Sequence, residues 1–106
     1  GKFKGPQARL RPSIKRVVTA VATQFKVTEK RIYQAARGPG SRNLPRWTAM
    51  YLCQEVAGVT LQDISLRFGL KRYGTVSTTI GKLKQEFIIS PKSFTAIKKL
   101  RKQLAP

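Results

Sequence analysis

The chain has 106 residues, 41% of them hydrophobic, enough to bury one modest core and too few for two independent domains. Twenty-two lysines and arginines stand against four acids, Glu29, Glu55, Asp63 and Glu86, a formal charge of +18, so the expected partner is a polyanion, nucleic acid first and an anionic membrane surface second. The chain has no histidine, one cysteine and no two carboxylates three or four residues apart, a composition that offers neither a zinc site nor an activated nucleophile; no catalysis, metal or cofactor is expected.

No apolar run approaches the ~20 residues of a membrane-spanning helix, and residues 1–11 lack the apolar segment of a signal peptide. The expected location is cytoplasmic, at the nucleoid. A start at Gly1, with Met50 as the only methionine, reads either as removal of an initiator methionine or, the favoured reading, as a piece of a longer protein.

Residues 1–11 carry Lys2, Lys4, Arg9 and Arg11 without periodicity, which predicts a flexible basic arm, either tracking DNA or simply an unstructured end. The domain proper is expected over 12–106. Ser13 is an N-cap candidate for a scaffold helix whose Ile14, Val17, Val18, Val21, Ala22 and Phe25 share one face. Thr28, followed by Glu29 in the first turn, starts a short helix expected to run to about Ala36. The run Arg37-Gly38-Pro39-Gly40-Ser41-Arg42 is a loop; it lacks the lysine and hydroxyl of a P-loop, so nucleotide binding is rejected. Its arginines either reach a minor groove or backbone phosphates, or remain solvated.

Asn43 and Pro45 open a helix with Ala49, Leu52, Cys53 and Val56 inward and Gly58 beyond its end. Trp47 and Tyr51 are expected as packing residues at the core edge, with stacking platforms as the alternative. Arg46 lies in the first turn, where the helix dipole disfavours a cation, and a bound phosphate would remove that conflict.

The stretch 60–87 reads as two helices joined by a glycine turn. Thr60 and Asp63 form a capping box, Val59 can staple onto Ile64, and Gly69 supplies the left-handed residue after Leu61, Ile64 and Phe68. The second helix begins at Tyr73, with Val76, Ile80, Leu83 and Phe87 as its apolar stripe. Its other face presents Gly74, Thr78, Gly81, Lys82 and Gln85; each mid-helix glycine costs about 1 kcal/mol relative to alanine, which suits a face made for close approach to DNA. A solvated helix is the alternative. Ser90 and Pro91 then start a last helix, with Phe94, Ile97, Leu100 and Leu104 inward and Lys98, Lys99, Arg101 and Lys102 outward.

Across 43–87 the sequence resembles the DNA-binding domain of the bacterial replication initiator DnaA. The residues that carry the resemblance are Pro45-Arg46, Ala49-Met50-Tyr51-Leu52, Glu55, Gly58, Thr60-Leu61, Asp63-Ile64, Phe68-Gly69 and Thr75-Val76. It implies an all-α, compact bundle of about six helices containing a helix-turn-helix. The run Leu70-Lys71-Arg72-Tyr73-Gly74-Thr75 departs from the initiators, which carry aspartate-histidine before their two threonines, and Leu44 stands where they have a minor-groove arginine. Tyr73 ahead of Thr75-Val76-Ser77, together with Arg42-Asn43, is more similar to the DnaA-like domains at the C-terminus of REP-associated tyrosine transposases.

The resemblance implies duplex DNA as partner, with the helix from Tyr73 in the major groove. Thr75, Ser77 and Thr78 are candidates for base or phosphate contacts, with Gly74 beside them; Arg42, Arg46, Lys71, Arg72 and Lys82 are candidates for phosphate; Tyr73 either contacts DNA or packs. The rival readings are an RNA-binding domain and a helical domain for an acidic protein partner.

Overall fold

The computed structural model describes residues 12–34 and 43–104. The basic arm, the loop at 37–42 and Arg42 lie outside the described residues. Within them the chain forms six α-helices and no strand: α1 (Ile14–Phe25), α2 (Glu29–Tyr33), α3 (Leu44–Glu55), α4 (Leu61–Arg67), α5 (Tyr73–Ile89) and α6 (Pro91–Leu104).

The first four helices start where a short polar side chain can accept an orphan backbone N–H. Ser13 Oγ accepts from the Arg16 amide at 3.1 Å, Thr28 Oγ1 from Arg31 at 3.2 Å, Asn43 Oδ1 from Arg46 at 3.1 Å and Thr60 Oγ1 from Asp63 at 3.2 Å. Each such cap stabilises its helix by about 1 kcal/mol. The left-handed residue closing α1 is Lys26 (φ 57°, ψ 45°), with the Val27 amide on the Ala22 carbonyl at 3.0 Å and the Lys26 amide on Thr23 at 3.3 Å. Glycine is the usual occupant of that position.

α3 is the hub. It packs on α1, α2, α4 and α5, and six consecutive residues, Thr48, Ala49, Met50, Tyr51, Leu52 and Cys53, are all buried. The sequence stripe predicted one buried side; a helix with neighbours all round buries every side instead. The expected stripes of the other long helices hold: Val17, Val18, Val21 and Ala22 of α1, Val76, Ile80 and Leu83 of α5, and Ile97, Leu100 and Leu104 of α6 meet in one core. At its edge Phe87 contacts Tyr51 edge-on (centroids 5.7 Å, 76°) and Phe94 in a tilted pair (4.4 Å, 37°), which joins α3, α5 and α6. Arg101 reaches Glu55 on α3 at 4.0 Å.

α2 ends at Tyr33, shorter than expected, with Gln34 extended (φ −90°, ψ 138°). The reason is tertiary. Asn43 Nδ2 donates to the carbonyls of Arg31 (2.9 Å) and Gln34 (3.1 Å), and Arg46 takes those of Ile32 and Tyr33. The carbonyls that a longer helix would use are already satisfied from α3.

Candidate DNA interface

α4 and α5 are set against each other by the turn at 68–72. Gly69 takes φ +70°, the Leu70 amide donates to the Ser65 carbonyl at 2.8 Å, and the Gly69 amide donates to Leu66 at 3.3 Å. This double bond pattern closes a helix and reverses the chain, and its left-handed residue favours glycine. Ile64 and Phe68 bury one side of α4, while Val76 and Ile80 bury the facing side of α5. The outward side of α5 is left free.

That outward side is the predicted one. Gly74, Ser77, Thr78, Gly81, Lys82 and Gln85 are all exposed, as are Lys71, Arg72 and Thr75 at the helix start. A Cβ added at Gly74 or Gly81 would meet no atom within 4 Å. Packing inside the domain therefore gives no reason for either glycine. Their reason must lie outside the molecule if they have one.

The start of α5 differs from those of α1 to α4. Its N-cap residue is Arg72, with no side-chain cap bond and no acid in the first turn. The Thr75 amide donates to the Arg72 carbonyl at 3.2 Å, but no side chain caps the first turn, which presents the positive end of the helix dipole beside the exposed side chains of Lys71, Arg72 and Thr75. An anion is the partner such an end lacks.

Tyr73 was expected to contact DNA or to pack near the apolar stripe. It is 61% exposed. Its position continues the stripe of α5 one turn before Val76, where α4 no longer covers it, so the ring borders an open groove of about 470 Å³ with Gln62, Ser65, Leu66 and Leu70. Leu66, 71% exposed, lies on the other wall. No motif in the sequence marks this groove, which exists only because the turn splays the two helices.

Arg46 requires a correction. The dipole conflict suggested a surface phosphate, but the side chain is 5% exposed. Its Nη1 donates to the carbonyls of Tyr33 (2.6 Å) and Ile32 (3.3 Å), and its Nη2 to that of Phe68 (2.8 Å), with the guanidinium carbon 5.4 Å from the Phe68 ring centroid. Burial lowers its pKa from the ordinary value, yet a guanidinium remains charged at any physiological pH. The carbonyls it meets close α2 and α4, where helix dipoles favour a cation. The phosphate that the sequence called for is replaced by two helix C-termini.

The model of the bacterial DnaA protein helix-turn-helix matches residues 14–83, about two thirds of the chain. The chain belongs to this family. The match ends inside α5, so α6 lies beyond it. Membership makes this an all-helical DNA-binding domain, and no described helix is long and apolar enough to cross a membrane. No curated protein matches the chain.

Proposed function

We propose that the domain binds duplex DNA sequence-specifically with α5 in the major groove. Thr75, Ser77 and Thr78 offer hydroxyls to base edges or phosphates, and Gly74 and Gly81 let the backbone approach closely. Lys71, Arg72 and Lys82 neutralise phosphates, Tyr73 contacts the DNA at the mouth of the turn, and Arg42, which precedes α3 in the sequence, reaches the backbone or minor groove. Arg46 acts only by holding the turn. The observation that carries this reading is the conjunction, on one helix, of an uncapped basic start and an exposed face with two unforced glycines.

The setting we propose is the appendage of a transposase-type protein rather than a replication initiator. It rests on Tyr73-Gly74-Thr75-Val76-Ser77 and Arg42-Asn43, which depart from the initiator pattern at the residues facing bases.

Fluorescence anisotropy across a salt series tests the binding mode. Affinity should fall with a log–log slope of about −0.9 per phosphate neutralised, and a flat curve would remove the electrostatic reading. Selection from random duplexes should yield a motif that the Thr78→Ala, Lys82→Ala double variant no longer prefers. The Lys98→Ala, Lys99→Ala pair should preserve it. Equal losses would take α5 out of its role.

A further inference from the structure

α6 follows α5 after the single residue Ser90 and packs on α5 and α1. It contains no acid, and Lys92, Lys98, Lys99 and Lys102 are all exposed on it. Arg101 differs, because it turns back to Glu55. At 100° per residue the four lysines fall on the side opposite Ile97, Leu100 and Leu104. Phe94 joins α6 to Phe87, which lies on the buried stripe of α5. α6 therefore sits behind α5; Lys98 lies over the Phe94 ring at 5.6 Å, beside α5, while Lys92, Lys99 and Lys102 point away from the face carrying Thr78 and Gly81.

A second groove, of about 500 Å³, runs between α1 and the end of α6. Lys15, Arg16, Ser13, Thr19, Thr23 and Gln103 line it, and it shares no residue with the groove at the turn. The acid nearest this wall is Glu29, which accepts the Thr19 hydroxyl at 3.1 Å. Ala20 and Leu104 complete the lining, and the Thr23 hydroxyl donates to the Thr19 carbonyl at 3.0 Å, so what this surface offers a polyanion is the charge of Lys15 and Arg16 together with the lysines of α6, which fits backbone phosphates and carries no base-reading geometry.

We infer that the α1–α6 surface is a second, sequence-independent site for duplex DNA, so that one domain holds two duplex segments at once, one on α5 and one behind it. The inference rests on the reading of α5 as the specific DNA contact. A duplex lying in front of α5 cannot reach lysines that face the opposite way, so their charge serves another segment. Non-specific phosphate binding of this kind is weak and strongly salt-dependent.

The test is a bridging assay with the whole chain. A duplex carrying the selected motif is fixed to beads, a fluorescent duplex without the motif is supplied in solution, and its recruitment is measured from low to physiological salt. Wild-type protein should recruit it, with loss as salt rises. The Lys92→Gln, Lys98→Gln, Lys99→Gln, Lys102→Gln variant should lose recruitment about tenfold or more while binding the motif duplex within about threefold of wild type. Circular dichroism verifies that the variant is folded. Recruitment undiminished in that variant, as from a dimer using two α5 faces, overturns the inference. So does motif binding by wild type without recruitment, which leaves the α5 reading intact. Wild type that binds neither duplex overturns both.

Discussion

The Arg46 guanidinium donates to the Phe68 carbonyl at 2.8 Å and lies over the ring of the same residue. One side chain from the start of α3 thus fixes the last residue before the left-handed Gly69, and through it the angle at which α5 leaves the domain. Tyr33 completes the cluster, with its ring 5.2 Å from that of Phe68 and its carbonyl bonded to the same arginine.

Removing that guanidinium should be severe. Arg46→Met keeps bulk but strands the carbonyls of Ile32, Tyr33 and Phe68, each formerly held by a charged donor. A loss of about 3–5 kcal/mol is expected, by analogy with broken buried charge networks. Arg46→Lys should recover only part of it, because an ammonium lacks the planar fork that spans two helix ends. Urea denaturation followed by circular dichroism measures both. A loss under about 1 kcal/mol for the methionine variant would show that the cluster is not a stabilising one.

The two outward glycines of α5 make opposite demands in the free and bound states. Gly81→Ala meets no neighbour within 4 Å, so it should stabilise the free domain by about 1 kcal/mol. If the helix lies close against DNA, the same methyl should weaken binding by about tenfold. A thermal melt and an anisotropy titration on one preparation give the two signs. Stabilisation with unchanged affinity would place Gly81 away from the DNA.

Lys26 and Gly69 occupy equivalent left-handed positions with opposite side-chain logic. Lys26→Gly should raise stability by about 0.5–1 kcal/mol, because a left-handed conformation costs an L-residue about 1–2 kcal/mol and glycine little. Gly69→Ala should lower it by about 1 kcal/mol for the same reason, although the added methyl has open space. Differential scanning calorimetry should show the two midpoints moving in opposite directions.

Cys53 is buried in α3, and burial pushes its thiol up to about 12, with the charge of Arg67 opposing weakly. The folded value lies above the unfolded one of about 8.5, so its contribution to stability is complete below pH ~8.5 and is lost as pH rises toward the folded value. Stability should therefore fall more steeply in alkali for wild type than for Cys53→Ala. At pH 8 a thiol reagent should modify the native protein only at the rate of opening, and rapid labelling would contradict the burial.

What the sequence made legible was local. Ser13, Thr28, Asn43 and Thr60 each act within three residues of themselves, and the stripes of α1, α5 and α6 follow from helical spacing. Arg46 was misread because its partners lie 13, 14 and 22 residues away, and a local rule saw only the dipole conflict. That conflict was a true signal with the wrong anion assigned. Asn43 shows the same limit: its cap was readable, but its bonds to α2, which shorten that helix, were not. Tyr73 lies one turn ahead of the stripe of Val76, Ile80, Leu83 and Phe87, and its 61% exposure depends on where α4 stops, which spacing within α5 does not show.

The unfinished start of α5 has a consequence for motion. Amides in its first turn lack a side-chain acceptor at Arg72, so in the free domain they should exchange with solvent faster than those in the first turns of α1 to α4. A phosphate seated there supplies the missing acceptor. Binding then lengthens the ordered part of the helix at its reading end, and protection gained at residues 73–76 would record contact before any base is distinguished.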